Sequence, residues 1–120
     1  MSSPEEFSTI LEKYPPGFKI HLVHAAPSIS PGDRSELSAD ELVLLQNFLT
    51  RIEDLRNFAK EQGISVVEVE EEEGNDYGAR PDDFIVTAGC YGDMCVAAHT
   101  VFLKDNNIKA KRELALCLVL

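Results

Sequence analysis

The sequence predicts a small α/β domain of Rossmann-like, three-layer type, with a mostly parallel sheet of four to five strands. Three observations predict this class. Short segments rich in β-branched residues alternate with longer amphipathic segments along the chain. One amphipathic segment, residues 38–62, carries the start and stop signals of a helix. Another segment, residues 83–89, is nearly all apolar, which is typical of a strand that is covered on both faces.

The first 17 residues are expected to form an N-terminal extension of one domain that spans residues 1–120. A chain of this length fits one domain rather than two. The extension ends in Pro15-Pro16-Gly17, which cannot continue a helix and leads into a strand. Residues 18–26 are interpreted as the first strand, because alternate side chains fall on opposite sides. One side carries Phe18, Ile20, Leu22 and His24, and the other carries Lys19, His21, Val23 and Ala25. Residues 27–37 contain two prolines, a glycine and three serines, and they are predicted to form a loop.

A long helix is predicted after this loop, because Ser38 opens the sequence SADE, a capping box. In such a box the Ser38 side chain accepts a hydrogen bond from the amide of Glu41, and the Glu41 side chain accepts one from the amide of Ser38. Apolar residues then recur every three or four positions. They are Leu42, Leu45, Phe48, Leu49, Ile52, Leu55, Phe58 and Ala59. Gly63 is expected to end the helix in the left-handed conformation.

The second half of the chain repeats the strand and helix alternation. Residues 64–70 are rich in β-branched residues and predict a second strand, and residues 83–89 predict a third. Residues 93–107 predict a second helix, for which Asp93 is the expected N-cap. The tail is predicted to contain at least one more strand, from about residue 113 to residue 120.

The charge balance and the cysteines exclude several classes of function. The formal net charge is −10, and a surface of this sign repels a phosphate backbone, so neither nucleic acid nor an anionic membrane is an expected partner. No apolar run approaches the ~20 residues of a membrane helix, and the N-terminus does not resemble a secretory signal. Three cysteines are an odd number and cannot all pair within one chain. Reduced thiols in the cytoplasm are therefore the expected state.

A ligand site is predicted at the carboxyl ends of the strands, since parallel α/β sheets bind ligands there, at the point where the strand order reverses. Residues 24–33, 70–82 and 89–95 reach that edge. We predict a small-molecule site between them. Its candidate binding residues are His24, Asp33, Gly89, Cys90, Tyr91, Gly92 and Asp93.

Cys95 and His99 are the candidate catalytic residues. With Asp93 as the cap, Cys95 lies in the first turn of the helix, where free amides and the helix dipole favour a thiolate. The same amides could stabilise an oxyanion that forms when the thiolate attacks a carbonyl. His99 follows four residues later on the same helix face, where it could act as a base.

The same residues also allow structural, redox and metal-binding interpretations. Cysteine is among the most buried residue types, so Cys95 could simply pack where the helix meets the sheet. Cys90 and Cys95 are separated by four residues, whereas a redox pair normally has two, so a disulfide is not the expected state. His21 and His24 differ in parity on one strand and cannot bind one ion together, so no metal site is predicted. The turn lacks the glycines and the lysine of a nucleotide motif, and no cofactor is expected.

The segment DFIVTAGCYGDMCVAAHTVFLKDNN, residues 83–107, resembles the most characteristic stretch of the isochorismatase-like cysteine hydrolases. Those proteins carry an apolar strand that ends in glycine, a short turn, and then Cys-Val at the start of a helix with small residues and a threonine. Here Gly89, Cys95-Val96, Ala97-Ala98 and Thr100 take these places. The helix and strand before it are similar too, so the resemblance covers residues 50–107. It implies that Cys95 is a nucleophile that attacks an amide or similar carbon.

The chain departs from that family at two positions. The family has an aspartate after its first strand, whereas the first acid here is Asp33, well into the loop. The family also has a lysine before the cysteine strand, whereas no lysine stands between Lys60 and Lys104. Residues 80–103 also resemble, more weakly, part of the C-terminal domain of transketolase-like enzymes such as phosphoketolases. This resemblance implies a binding or assembly module without thiamine chemistry.

Two functions follow from the sequence. The first is a cytoplasmic domain with a ligand pocket at residues 89–95 and the chemistry of a degenerate cysteine hydrolase. The second is a non-enzymatic interaction module with an acidic surface. In both, the domain is expected to form a homo-oligomer. The sequence ends on the apolar run ALCLVL, which is expected either to pack inside a dimer or to belong to a longer fold of which this chain is a clipped version.

Overall fold

The computed structural model describes residues 4–25, 38–70, 75–90 and 94–118. Within these residues the chain forms three helices and four strands. In chain order they are α1 (Pro4–Leu11), β1 (Lys19–Val23), α2 (Ala39–Gln62), β2 (Val66–Val69), β3 (Phe84–Cys90), α3 (Cys95–Asp105) and β4 (Lys109–Leu118). None of these helices is both long enough and apolar enough to cross a membrane.

The four strands form one sheet in the order β2-β1-β3-β4. Every neighbouring pair is parallel, with Ile20 opposite Val66 on one side of β1 and opposite Val86 on the other. Parallel pairing requires crossover connections, and the helices supply them. The predicted α/β class with a parallel sheet is confirmed.

Side chains alternate across the sheet and divide the core into two layers. One face packs against α1 and α2 and carries Ile20, Leu22, Val86 and Ala88 of the two central strands. The other face is covered by α3, and Ile85 packs there against Leu103, Ile108 and Ala110. The sheet therefore lies between two helical layers, as the sequence predicts.

The helix α2 has the ends that its sequence predicts. Ser38 and Glu41 form both hydrogen bonds of the capping box, and Gly63 has a left-handed φ of 70°. The side chains of Leu45, Ile52 and Leu55 on its inner stripe are buried.

Residues 4–17 contribute to the main core. Phe7, Leu11 and Tyr14 are buried against the sheet and α2. After α1 the Tyr14 hydroxyl donates a 2.6 Å hydrogen bond to the buried carboxylate of Glu113, and Lys13 Nζ lies 2.6 Å from the same oxygen. These contacts join the start of the chain to β4.

The boundaries of some strands differ from the predicted ones. β1 ends at Val23 rather than at residue 26, because His24 adopts a left-handed φ of 48° and leaves the extended conformation. β4 begins at Lys109 rather than near residue 113. Its first residues alternate between exposed and buried side chains, as a strand requires, but two of the first four are lysines, which conceals the strand pattern in the sequence. The β4 register then shifts against β3, where Thr87 faces Arg112 but Gly89 faces Cys117.

Candidate functional site

The strand order reverses between β1 and β3. The connection after β1 leads outward to β2, and the connection after β3 leads in the other direction to β4. Their carboxyl ends, at Val23 and Cys90, therefore lie side by side at the topological switch point of the sheet. This is the edge at which the sequence places the candidate site.

Gly89 brings the two central strands together at this edge. It pairs with Val23 and has a φ of 120°, which L side chains rarely adopt. A Cβ added here would collide with the backbone of Val23, above all with its carbonyl oxygen. Only glycine fits this position without moving the backbone of β1.

The remaining predicted binding residues divide into two groups. His24 is half-buried just beyond β1, and its amide donates a 3.0 Å hydrogen bond to the carbonyl of Val69 at the end of β2. Cys90 is buried at the end of β3, on the sheet face that packs against α1 and α2. Asp33, Tyr91, Gly92 and Asp93 lie outside the described residues.

Cys95 is the first residue of α3, which confirms its prediction in the first turn of the helix. The N-cap position is Met94 rather than Asp93, and the Met94 side chain makes no capping hydrogen bond. The amides of the first turn therefore point toward the switch point without a capping group from the N-cap residue. Cys95 itself is half-buried against Val23 and Val96.

His99 is fully buried beneath the helix, with 0% of its surface exposed. Its Nε2 lies 2.9 Å from Nδ1 of His21, which is 1% exposed on β1. The two rings also stack, with their centroids 5.2 Å apart and their planes inclined by 27°. The candidate base is thus one half of a buried histidine pair.

The sequence prediction did not include His21 in the site. Two signals could have found it: His21 shares a strand side with Val23, and His99 shares a helix side with Val96 and Leu103. Each histidine therefore belongs to an apolar surface, where a buried polar ring requires a partner. What the sequence does not contain is the position of α3 across β1.

The Tyr77 ring packs beside the histidine pair. It meets both imidazoles edge-on, with centroids 6.2 Å from His21 and 6.1 Å from His99. The Tyr77 amide donates a 2.8 Å hydrogen bond to the side chain of Asn75, and the Gly78 amide donates to the side chain of Asp76 at 3.0 Å. These short-range bonds shape the loop that carries the tyrosine ring.

Burial and neighbouring charges keep His21 neutral. Its pKa is lowered from 6.5 to about 4, first because burial disfavours the charged form, and then because His99 and Lys19 add positive potential. Asp76 and Asp83 act in the opposite direction with smaller effects. At neutral pH, His21 therefore offers one acceptor nitrogen and one donor N–H.

Thr87 and Thr100 form a second polar contact between the sheet and α3. Their hydroxyl oxygens are 2.6 Å apart, and the Thr100 hydroxyl also donates a 2.7 Å hydrogen bond to the carbonyl of Val96. A hydroxyl has one proton, so Thr87 is the donor between the two threonines. This fixes the helix turn that lies between Cys95 and His99.

The three cysteines are free thiols in different surroundings. Cys90 packs on the α2 side of the sheet, whereas Cys95 and Cys117 pack on the α3 side. Burial raises the pKa of the Cys90 thiol to about 12 and that of the Cys117 thiol to about 11. Neither of these two thiols is suited to act as a nucleophile at neutral pH.

Across residues 4–25, 38–70, 75–90 and 94–118, no group of three or more His, Cys, Asp or Glu side chains is placed to hold a metal ion. The histidine pair contributes two nitrogens, which is fewer than the three protein ligands of a catalytic zinc site.

Comparisons with protein-family models, with curated proteins and with solved structures give no match to this chain. The resemblances to isochorismatase-like cysteine hydrolases and to transketolase-like enzymes therefore remain predictions from the sequence.

Proposed function

We propose that this domain binds a small organic molecule at the carboxyl edge between β1 and β3, and that Cys95 attacks an electrophilic carbon of that molecule. The observation that supports this is the position of Cys95. It is the first residue of the helix that leaves β3, at the point where the strand order reverses. Ligands in open parallel sheets bind at this place.

The chemistry would be acyl transfer to a thiol. His99 takes the proton of the Cys95 thiol, and the thiolate sulfur forms a bond to the carbonyl carbon of an amide or a similar group. The amides at the start of α3 stabilise the oxyanion. The leaving group then departs with the proton from His99, and water releases the acyl group from sulfur.

The surroundings restrict the ligand and the compartment. With a formal net charge of −10, the domain attracts cationic molecules and repels anionic ones, so a neutral or cationic ligand is favoured. Three free thiols fit a reducing compartment such as the cytoplasm. The family's lysine has no equivalent between Lys60 and Lys104, so slow turnover, typical of a degenerate hydrolase, is expected.

Alkylation with iodoacetamide, followed by peptide mass spectrometry, tests the proposal. Cys95 should react at neutral pH at least about tenfold faster than Cys90 and Cys117, and with a midpoint below the ~8.5 of a free thiol. Cys95→Ser should abolish the fast reaction, and Cys117→Ser should leave it intact. Slow labelling of all three thiols that requires denaturant would show that Cys95 is a packing residue.

The alternative function, an assembly module, is supported by exposed apolar side chains. Val43 and Leu44 at the start of α2 are 59% and 52% exposed, and Leu114 on β4 is 58% exposed. A second copy of the chain is the partner proposed for these surfaces. Sedimentation velocity should then show a dimer that Val43→Glu disrupts, with Asp40→Glu as control. A clean monomer at high concentration would contradict this alternative.

A further inference from the structure

We propose that His21 is a positioning residue for the thiol chemistry of Cys95. By accepting a hydrogen bond from Nε2 of His99, it leaves Nδ1 of His99 as the nitrogen that takes the thiol proton. This inference rests on the proposed function, because it concerns the base that serves Cys95. It adds a third member to the pair that the sequence indicates.

One proton is shared between the two histidine rings. His21 Nδ1 and His99 Nε2 are 2.9 Å apart, so one proton lies between them and one nitrogen accepts it. If His21 donates, the remaining proton of neutral His99 is on Nδ1, and His99 cannot act as a base there. If His21 accepts, Nδ1 of His99 carries a lone pair. The direction of one hydrogen bond therefore decides whether His99 can be a base.

The charged form of His99 also requires an acceptor on His21. When His99 takes the thiol proton it becomes an imidazolium with protons on both nitrogens. Only an acceptor at His21 Nδ1 can stay within hydrogen-bond distance of it. His21 fulfils this role because burial, His99 and Lys19 all oppose its own protonation. It would do for His99 what the buried carboxylate does for the histidine of a Ser-His-Asp triad, which is to hold the imidazole in one tautomer and orientation.

The titratable groups that act most strongly on His21 favour this assignment. His99 from α3 and Lys19 from β1 disfavour a charge on His21, and Asp76 and Asp83 oppose them with smaller effects. Tyr77 presents the edge of its ring to both imidazoles and restricts their rotation. With exposures of 1% and 0%, the two rings keep one arrangement.

The position of Cys95 relative to His99 also supports this role. Both belong to α3, four residues apart, so they lie on one face of the helix. Helical side chains lean toward the N-terminus, which directs His99 over the turn that contains Cys95. With Nε2 engaged by His21, Nδ1 is the ring nitrogen that we assign to the thiol proton.

The pH dependence of Cys95 alkylation by iodoacetamide tests the proposal in the full chain. In this reaction the thiolate sulfur forms a bond to carbon, iodide leaves, and the thiol proton stays on His99. His21→Leu should raise the alkylation midpoint by about one pH unit and lower the rate at pH 7 about tenfold. His21→Asn should keep most of the wild-type rate, because its side-chain oxygen can accept where Nδ1 stands.

The peptide mass spectra that measure Cys95 alkylation also report whether each variant is folded. Cys90 and Cys117 are expected to react only after unfolding, so fast labelling of either would reveal a variant that has not folded. If His21→Leu fails this control, His21→Phe replaces it. A folded variant of either kind with an unchanged midpoint would overturn the role of His21 while leaving the proposed function intact. A slow Cys95 in the wild type would overturn both.

Nitrogen NMR of the histidine rings tests the hydrogen-bond direction in the wild-type protein. We expect His99 Nε2 to carry a proton and His21 Nδ1 to lack one at pH 7. The opposite tautomers would overturn the proposal even if Cys95 reacts fast, because His99 would then have no lone pair for the thiol.

Discussion

Gly89 carries the strictest requirement of any glycine in the described residues, since its φ of 120° and the backbone of Val23 both exclude a side chain. Gly89→Ala should therefore destabilise the protein by more than about 3 kcal/mol in chemical denaturation. Gly78→Ala is the matched control: its φ is 80°, but no atom lies within 4 Å of the added carbon. The control should cost only about 1 kcal/mol. Equal losses would mean that the close approach to Val23 is unimportant.

Single residues also mark the limit of sequence-based prediction. The motif around Cys95 predicted its place at the start of a helix, because glycine, strand pattern and helix pattern are all local signals. The partnership of His21 and His99 is not local: 78 positions separate the two residues in the chain. It depends on the angle at which α3 crosses β1, and no spacing in the sequence encodes that angle.

Between elements, the Thr87–Thr100 contact links β3 to α3 inside the core. Thr100→Val should cost about 2 kcal/mol of unfolding free energy, because it leaves the buried Thr87 hydroxyl without its acceptor. Thr87→Val should cost less, since Thr100 keeps its bond to the carbonyl of Val96. A double-mutant cycle measured by urea unfolding should show that the double variant loses less than the sum of the two. Strict additivity would contradict a direct bond.

The elements themselves were predicted to different degrees. The helix α2 was correct at both ends, because a capping box and a left-handed glycine are signals that neighbouring residues supply. β4 was predicted too short, since Lys109 and Lys111 make its first half look like a polar loop. Those lysines lie on the exposed side of a strand whose other side is buried. Alternation over so few residues is a weak signal until the neighbouring strand is known.

For the whole molecule, stability should depend on pH through His21. Its pKa is about 4 in the folded chain against 6.5 in the unfolded chain, so the unfolded chain binds the proton first as the pH falls. The stabilisation that comes from neutral His21 is fully present above about pH 6.5. As the pH falls to 4, the free energy of unfolding should decrease by on the order of 3 kcal/mol. Urea unfolding at a series of pH values measures this. A free energy of unfolding that stays constant between pH 7 and pH 5 would contradict it.

Glu113 predicts a second, lower pH range for the same experiment. Burial alone would raise the pKa of its carboxyl, but hydrogen bonds from Lys13 and Tyr14 lower it below the usual 4.5. Its contribution is present above about pH 4.5 and is lost as the pH falls further. His21→Asn should remove the upper step and leave the lower one, whereas Glu113→Gln should do the reverse.

The register shift in β4 has a consequence for the outer rim of the sheet. Among the described strands β4 has a neighbour on one side only, so its free backbone groups could template the growth of the sheet by a foreign strand. The regular part of this rim extends only from Lys109 to Arg112 before the ladder is interrupted. Lys109 and Lys111 are exposed there, and a second copy approaching head-on would bring like charges together. The distortion and the lysines thus oppose the addition of a foreign strand along the backbone of β4.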